Sequence, residues 1–151
     1  MSRNANAVID IGSALDLLEE AVEREGTDHV YRPIWVTEAN YLTCVYADHG
    51  APSCIVGHAL TLAGVPVEDL EGMNDDSLRD LYRAGRLPVP LTLGALAVLH
   101  EAQESQDRGY SWGEVLRRAR RVANRYLDLL PDAAFGAGVA ARTDDPAVSV
   151  K

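Results

Sequence analysis

The stretch Ser111-Trp112-Gly113-Glu114-Val115-Leu116-Arg117-Arg118-Ala119-Arg120-Arg121-Val122-Ala123-Asn124-Arg125-Tyr126-Leu127-Asp128-Leu129-Leu130-Pro131 decides how this chain folds. Counted from Val115, the residues Val115, Leu116, Ala119, Val122, Ala123, Tyr126, Leu127 and Leu130 stand at offsets 0, 1, 4, 7, 8, 11, 12 and 15. An α-helix turns once in about 3.6 residues, so these positions make one apolar stripe. Ser111 and Glu114 have the spacing of a capping box, and Pro131 cannot continue a helix. A helix over 112–130 is predicted, and its stripe must be covered by other elements.

Working back from it, the same signals recur. Thr92 caps a helix carrying Leu93, Leu96, Ala97, Leu99 and His100, ended by Gly109; the range is 92–108. Asn74 or Asp75 caps a short helix, 75–84, with Leu78, Leu81 and Tyr82, ended by Gly85. Pro52 suits the first turn of a helix over 52–63, with Ile55, Val56, Ala59, Leu60 and Leu62. Ser13 and Asp16 cap a helix over 13–25 that stops at Gly26. Residues 27–50 are less regular. Pro33 bars helix across Tyr31-Arg32, Thr43-Cys44-Val45-Tyr46 favours strand, and Asp48-His49-Gly50 signals a turn. Val65-Pro66-Val67 reads as a connection.

These elements make a mainly α fold: a compact bundle of about five helices, with room for a short β-hairpin near residues 42–54. The expected core holds Leu18, Trp35, Ile55, Leu60, Leu81, Leu96, Leu116, Val122 and Tyr126. Residues 1–10 read as a lead-in, 11–131 as a single helical domain, and 132–151 as a flexible tail without periodicity.

With 151 residues, 47% hydrophobic and 25% charged, the chain needs neither disulfide nor metal to build a core. No apolar run reaches the ~20 residues of a membrane span. No basic-then-apolar leader opens the sequence, so two reduced cysteines and a cytoplasmic location are expected. A net charge of −9 disfavours general nucleic-acid binding. Arginine outnumbers lysine thirteen to one and alanine is abundant. Their codons are GC-rich, which points to a high-GC bacterium or a phage of one.

One group of residues has metal-ligand chemistry. Cys44, His49, Cys54 and His58 follow the spacing C-x4-H-x4-C-x3-H, and Cys54 and His58 are one helical turn apart. Two cysteines and two histidines make a tetrahedral set of the kind zinc accepts. The pattern lacks the C-x2-C knuckle of specific zinc motifs. Cys54 beside Ile55-Val56 reads as core, and His49 between Asp48 and Gly50 as an exposed turn residue. The balance favours a protein without metal or other cofactor. Cys54 near a helix start, with His58 or His49 as base, would suit a thiol nucleophile. No third, orienting group is evident. A Cys44–Cys54 pair across the turn is a further option.

Arg117, Arg118, Arg120, Arg121 and Arg125 form a basic face opposite the apolar stripe, either a solvated surface or an anion-binding patch. No aromatic residue is interleaved for base stacking. Glu68, Asp69, Glu71, Asp75, Asp76 and Asp80 form an acidic stretch without the offsets of a calcium loop. Phosphate-loop, dinucleotide and hydrolase-elbow motifs are missing.

Cys44-Val45-Tyr46, followed by Pro52-Ser53-Cys54-Ile55-Val56-Gly57-His58-Ala59-Leu60, resembles a string found in small proteins of unassigned role from actinobacteria and their bacteriophages. Ala102-Gln103, Gln106-Asp107, Gly109 and Trp112 are similar to a second such string. The resemblance spans residues 40–127 and implies no activity. It suggests that the recurring residues hold the fold. Gly57 would admit the Tyr46 segment or the Trp112 helix, Trp112 would cover one end of the core, and Gln106 and Asp107 would bond the turn before Ser111.

The reading that follows is a non-enzymatic protein that binds another protein, regulatory in role and phage- or mobile-element-encoded, acting on a host protein. Arg117, Arg118, Arg121 and Arg125 are its candidate binding residues, and self-association is compatible with it. The alternatives are a small thiol hydrolase using Cys54 and His58, and a zinc-stabilised nucleic-acid regulator using the Arg117–Arg125 face.

Overall fold

The computed structural model describes residues 7–32, 34–36, 41–43, 45–74 and 76–129; for 34–36, 41–43 and 127–129 only the backbone is described. Cys44, the side chain of Trp35, and the expected tail at 132–151 lie outside the described residues. In chain order the elements are α1 (Ile11–Glu25), β1 (Ile34–Val36), β2 (Tyr41–Thr43), β3 (Ala47–Asp48), β4 (Ala51–Pro52), α2 (Ile55–Leu62), α3 (Val67–Glu71), α4 (Leu78–Ala84), α5 (Leu93–Asp107) and α6 (Trp112–Leu129). The fold is mainly helical, as the periodicity requires.

Helices α1, α2, α5 and α6 surround one core in which Leu17, Leu18, Ile55, Leu60, Leu99, Trp112 and Val115 are fully buried. Of the expected core, Leu18, Ile55, Leu60, Leu81, Leu96, Leu116 and Val122 are buried, and Tyr126 is half-buried at its edge. α5 and α6 pack along their lengths, joined by the short turn Arg108–Ser111. α4 packs on α5, and the N-terminus is tied in by Ile9, whose N–H donates to Pro90 O and whose carbonyl accepts from Thr92 N–H, both at 3.0 Å.

Several boundaries differ from the sequence reading for local reasons. The cap of α1 is Asp10, whose carboxylate accepts the Ser13 N–H at 2.9 Å, so Ser13 lies inside the helix. α2 starts at Ile55, because Pro52 pairs with Ala47 in the β3–β4 hairpin instead of opening the helix. The two turn residues, His49 at φ 53° and Gly50 at φ 78°, are both left-handed, as a tight two-residue hairpin of matching twist needs. A second hairpin pairs Ile34 with Thr43 and Val36 with Tyr41, earlier in the chain than the expected strand. Pro66 starts the extra helical turn α3, where a connection was expected.

The cap of α4 is Ser77, not Asn74 or Asp75. Asn74 is spent elsewhere. Its Oδ1 accepts the Tyr46 N–H at 2.8 Å and its Nδ2 donates to Ala47 O at 3.0 Å, so the amide acts as a short strand beside β3.

Candidate functional site

Helix α6 carries two faces with different fates. Trp112, Val115, Leu116, Ala119, Val122 and Ala123 are buried, while Arg117, Arg120, Arg121 and Arg125 are exposed and Arg118 is half-buried. The start of the helix is fastened by the loop after α1. Trp112 N–H donates to His29 O at 2.8 Å, Gly113 N–H to Thr27 O at 2.9 Å, and Glu114 N–H to Ser111 Oγ at 3.3 Å. Three of the four N–H groups that a helix start leaves without helical partners are thereby satisfied, which sets the rotation of α6.

That rotation places arginines at the seam with α5. Arg118, Arg121, Val122 and Arg125 of α6, with Glu101 of α5 and Arg108 just beyond its end, line an open groove of about 200 Å³. This is smaller than the ~300–1,000 Å³ of an enclosed small-molecule pocket. The Arg118 guanidinium lies over the Tyr110 ring, 4.0 Å from its centre. Arg117, Arg118 and Arg121 all converge on Glu114; the latter two lie at 3.2 and 3.4 Å. The hydrogen bond from Arg117 holds the Glu114 carboxyl below its ordinary value, and the charges of Arg117, Arg118 and Arg121 add to this. Arg108 lies 3.6 Å from Glu104, and Arg120 lies 2.9 Å from Glu19. Among the described residues no carboxylate pairs with Arg125.

The cysteine–histidine group is dispersed as far as it is described. The side chain of His49 is 92% exposed in its turn. Cys54 is 0% exposed, and its sulfur accepts the Gly57 N–H at 3.4 Å as the cap of α2. His58 leans against Trp112 with ring centres 5.3 Å apart. These three side chains sit in three environments: solvent, core and an aromatic seam. Among the described residues no three His, Cys, Asp or Glu side chains gather closely enough to hold a metal ion. The Cys54 thiol is thus sealed in the core and engaged in capping, out of contact with solvent.

His29 was not singled out from the sequence. It packs edge-on against Trp112 at 4.5 Å between ring centres, so Trp112 joins His29 and His58 across the α1, α2 and α6 ends. Burial lowers the His58 pKa, the neighbouring His29 lowers it further, and Glu25 acts in the opposite sense. The site therefore favours the neutral imidazole of His58. Among the described residues the wholly buried Trp112 Nε1 has no hydrogen-bond partner. No local spacing links His29 to His58, because the contact is made through a residue more than fifty positions further along.

Comparison with family models, with curated proteins and with solved structures finds no match.

Proposed function

We propose that this chain is a non-enzymatic binding protein that engages another protein through the groove between α5 and α6. The observation that supports this best is the placement of Arg108, Arg118, Arg121 and Arg125 along one open seam of a chain whose net charge is −9. A concentration of positive charge on an acidic protein steers a complementary partner and rejects like-charged faces. Its ion pairs are surface pairs, each worth roughly 0–1 kcal/mol, so a partner's carboxylates exchange with them at little cost. The buried state of Cys54 favours binding over thiol chemistry. No described helix is long and apolar enough to cross a membrane.

The test is affinity capture with the whole protein from an actinobacterial lysate, the host that the sequence resemblance selects. The wild type is compared with the double charge reversal Arg121→Glu, Arg125→Glu. A saturable protein partner retained by the wild type and lost by the variant is expected. A partner held equally by both, or retention of DNA in its place, would overturn this reading.

A further inference from the structure

Gly26 ends α1 and the chain turns at once, with His29 N–H donating to Gly26 O at 3.1 Å. The turn presents two carbonyls, Thr27 O and His29 O, to the Gly113 and Trp112 N–H groups at the start of α6. Gly113 permits this approach, since a Cβ there would stand 3.0 Å from Thr27 O. Gly26, Thr27, Asp28 and Val30 are exposed, so the loop buries little apolar surface of its own. Two half-buried imidazoles, His29 from the loop and His58 from α2, pack edge-on against the wholly buried Trp112.

The two sides of this junction are not equally firm. His58 stands between Gly57 and Ala59, both buried, on a helix whose first N–H is tied to Gln106 in the core. His29 sits on a loop held to α6 by two backbone hydrogen bonds and one ring contact. Segments with few buried apolar contacts open at low cost. A proton on His58 puts a charge into a half-buried site beside His29, and burial and like charge both oppose it. Glu25, at the exposed end of α1, attracts that charge. Glu25 and His29 are the charged and titratable groups that act on His58 from α1 and the loop, and from α6 it meets Trp112, which carries no charge. Moving the loop away lets water reach the imidazolium, whereas moving α2 would break the core.

We infer that protonation of His58 unfastens the 26–29 loop from the start of α6, a pH-sensitive latch that opens while the rest of the core stays folded. The open state returns His58 to water and to its ordinary value of 6.5, and the closed state holds it lower. Opening is therefore disfavoured above 6.5 and gains as the pH falls below it.

The experiment is amide hydrogen exchange of the full chain, read by NMR from about pH 8 to about pH 5, the range in which histidine titrates. Each rate is normalised to the intrinsic rate at that pH. Protection of the Trp112 and Gly113 amides is expected to fall severalfold across this range, in step with the His58 ring signals, while Leu99 in the core keeps its protection. Glu25→Gln removes the attracting charge and should move the opening midpoint to lower pH, and His58→Phe should abolish the pH dependence. Loss of protection at Leu99 together with Trp112 would mean global unfolding and overturns the latch. A midpoint unmoved by Glu25→Gln overturns it as well. So does a midpoint that departs from the His58 ring titration in the wild type, a comparison that holds even if His58→Phe does not fold. Unchanged protection, or greater protection in acid as attraction between imidazolium and indole would give, also overturns it.

Discussion

The side-chain carbonyl of Gln106 accepts the backbone N–H of Ile55 at 2.7 Å, in the core, across fifty-one positions of sequence. One buried amide of α5 thereby caps the first N–H of α2, while its Nε2 donates to Asp107 at 3.0 Å. The bond explains a fully buried glutamine, whose backbone carbonyl also accepts the Gly109 N–H, in the turn before Ser111, at 2.9 Å. Gln106→Leu fits the space but leaves the Ile55 N–H buried without an acceptor. A loss of about 1–3 kcal/mol is expected in urea unfolding. Gln106→Glu, which keeps an acceptor but buries a charge, should be destabilised at neutral pH and recover partly as the pH falls toward protonation of the carboxyl.

Gly57 should accept no side chain. A Cβ there would sit 1.9 Å from the Tyr46 carbonyl oxygen, which is backbone and itself accepts the Ser53 N–H at 2.9 Å. Neither group can turn aside. Gly57→Ala should therefore destabilise despite alanine's gain of ~1 kcal/mol in helix propensity. The expected net loss is at or above the ~1–3 kcal/mol of ordinary overpacking. A thermal melt equal to wild type would mean that α2 and the Tyr46 segment are not in contact.

His58 should make the fold acid-sensitive. Its pKa is lowered in the folded protein, so the unfolded chain binds the proton more readily. The stability it permits is complete above its ordinary value of about 6.5 and is lost as pH falls from there through the lower folded value. Urea midpoints measured on either side of that window should drop with acid, and His58→Phe should flatten that limb. An unchanged slope in His58→Phe would place the sensitivity elsewhere, with the Glu114 carboxyl, also lowered, acting in the more acidic carboxylate range.

The two faces of α6 should respond oppositely to substitution. Leu116→Ala removes a side chain that is only 7% exposed and should cost roughly 2–5 kcal/mol. Arg121→Glu, at an exposed position, should stay within about 0.5 kcal/mol in stability while altering binding. Calorimetry on both variants checks this. Melting by Arg121→Glu and tolerance of Leu116→Ala would mean that the helix is turned the other way.

Periodicity and capping chemistry were enough to place helices α1, α2, α4, α5 and α6, because a 3.6-residue stripe and its end signals are local. They also placed Leu18, Ile55, Leu60 and Leu116 on inner faces, since burial follows from the stripe. The tight approach at Gly57 was legible as a glycine where a helix would prefer alanine. Which partner required it, the Tyr46 carbonyl, was settled only by packing. Pro52 looked like the first turn of a helix but is a strand residue, because pairing with Ala47 is a contact between segments that propensity does not weigh. The arginines of α6 were visible as a face, yet their grouping with Glu101 and Arg108 depends on how α5 and α6 lie together. Cys54 and His58, one turn apart in sequence, meet different surroundings. A helix turn carries the thiol into the core and the imidazole to Trp112 and His29. Spacing along one element dictates which side chains share a face; the rotation of that element against its neighbours decides what the face meets.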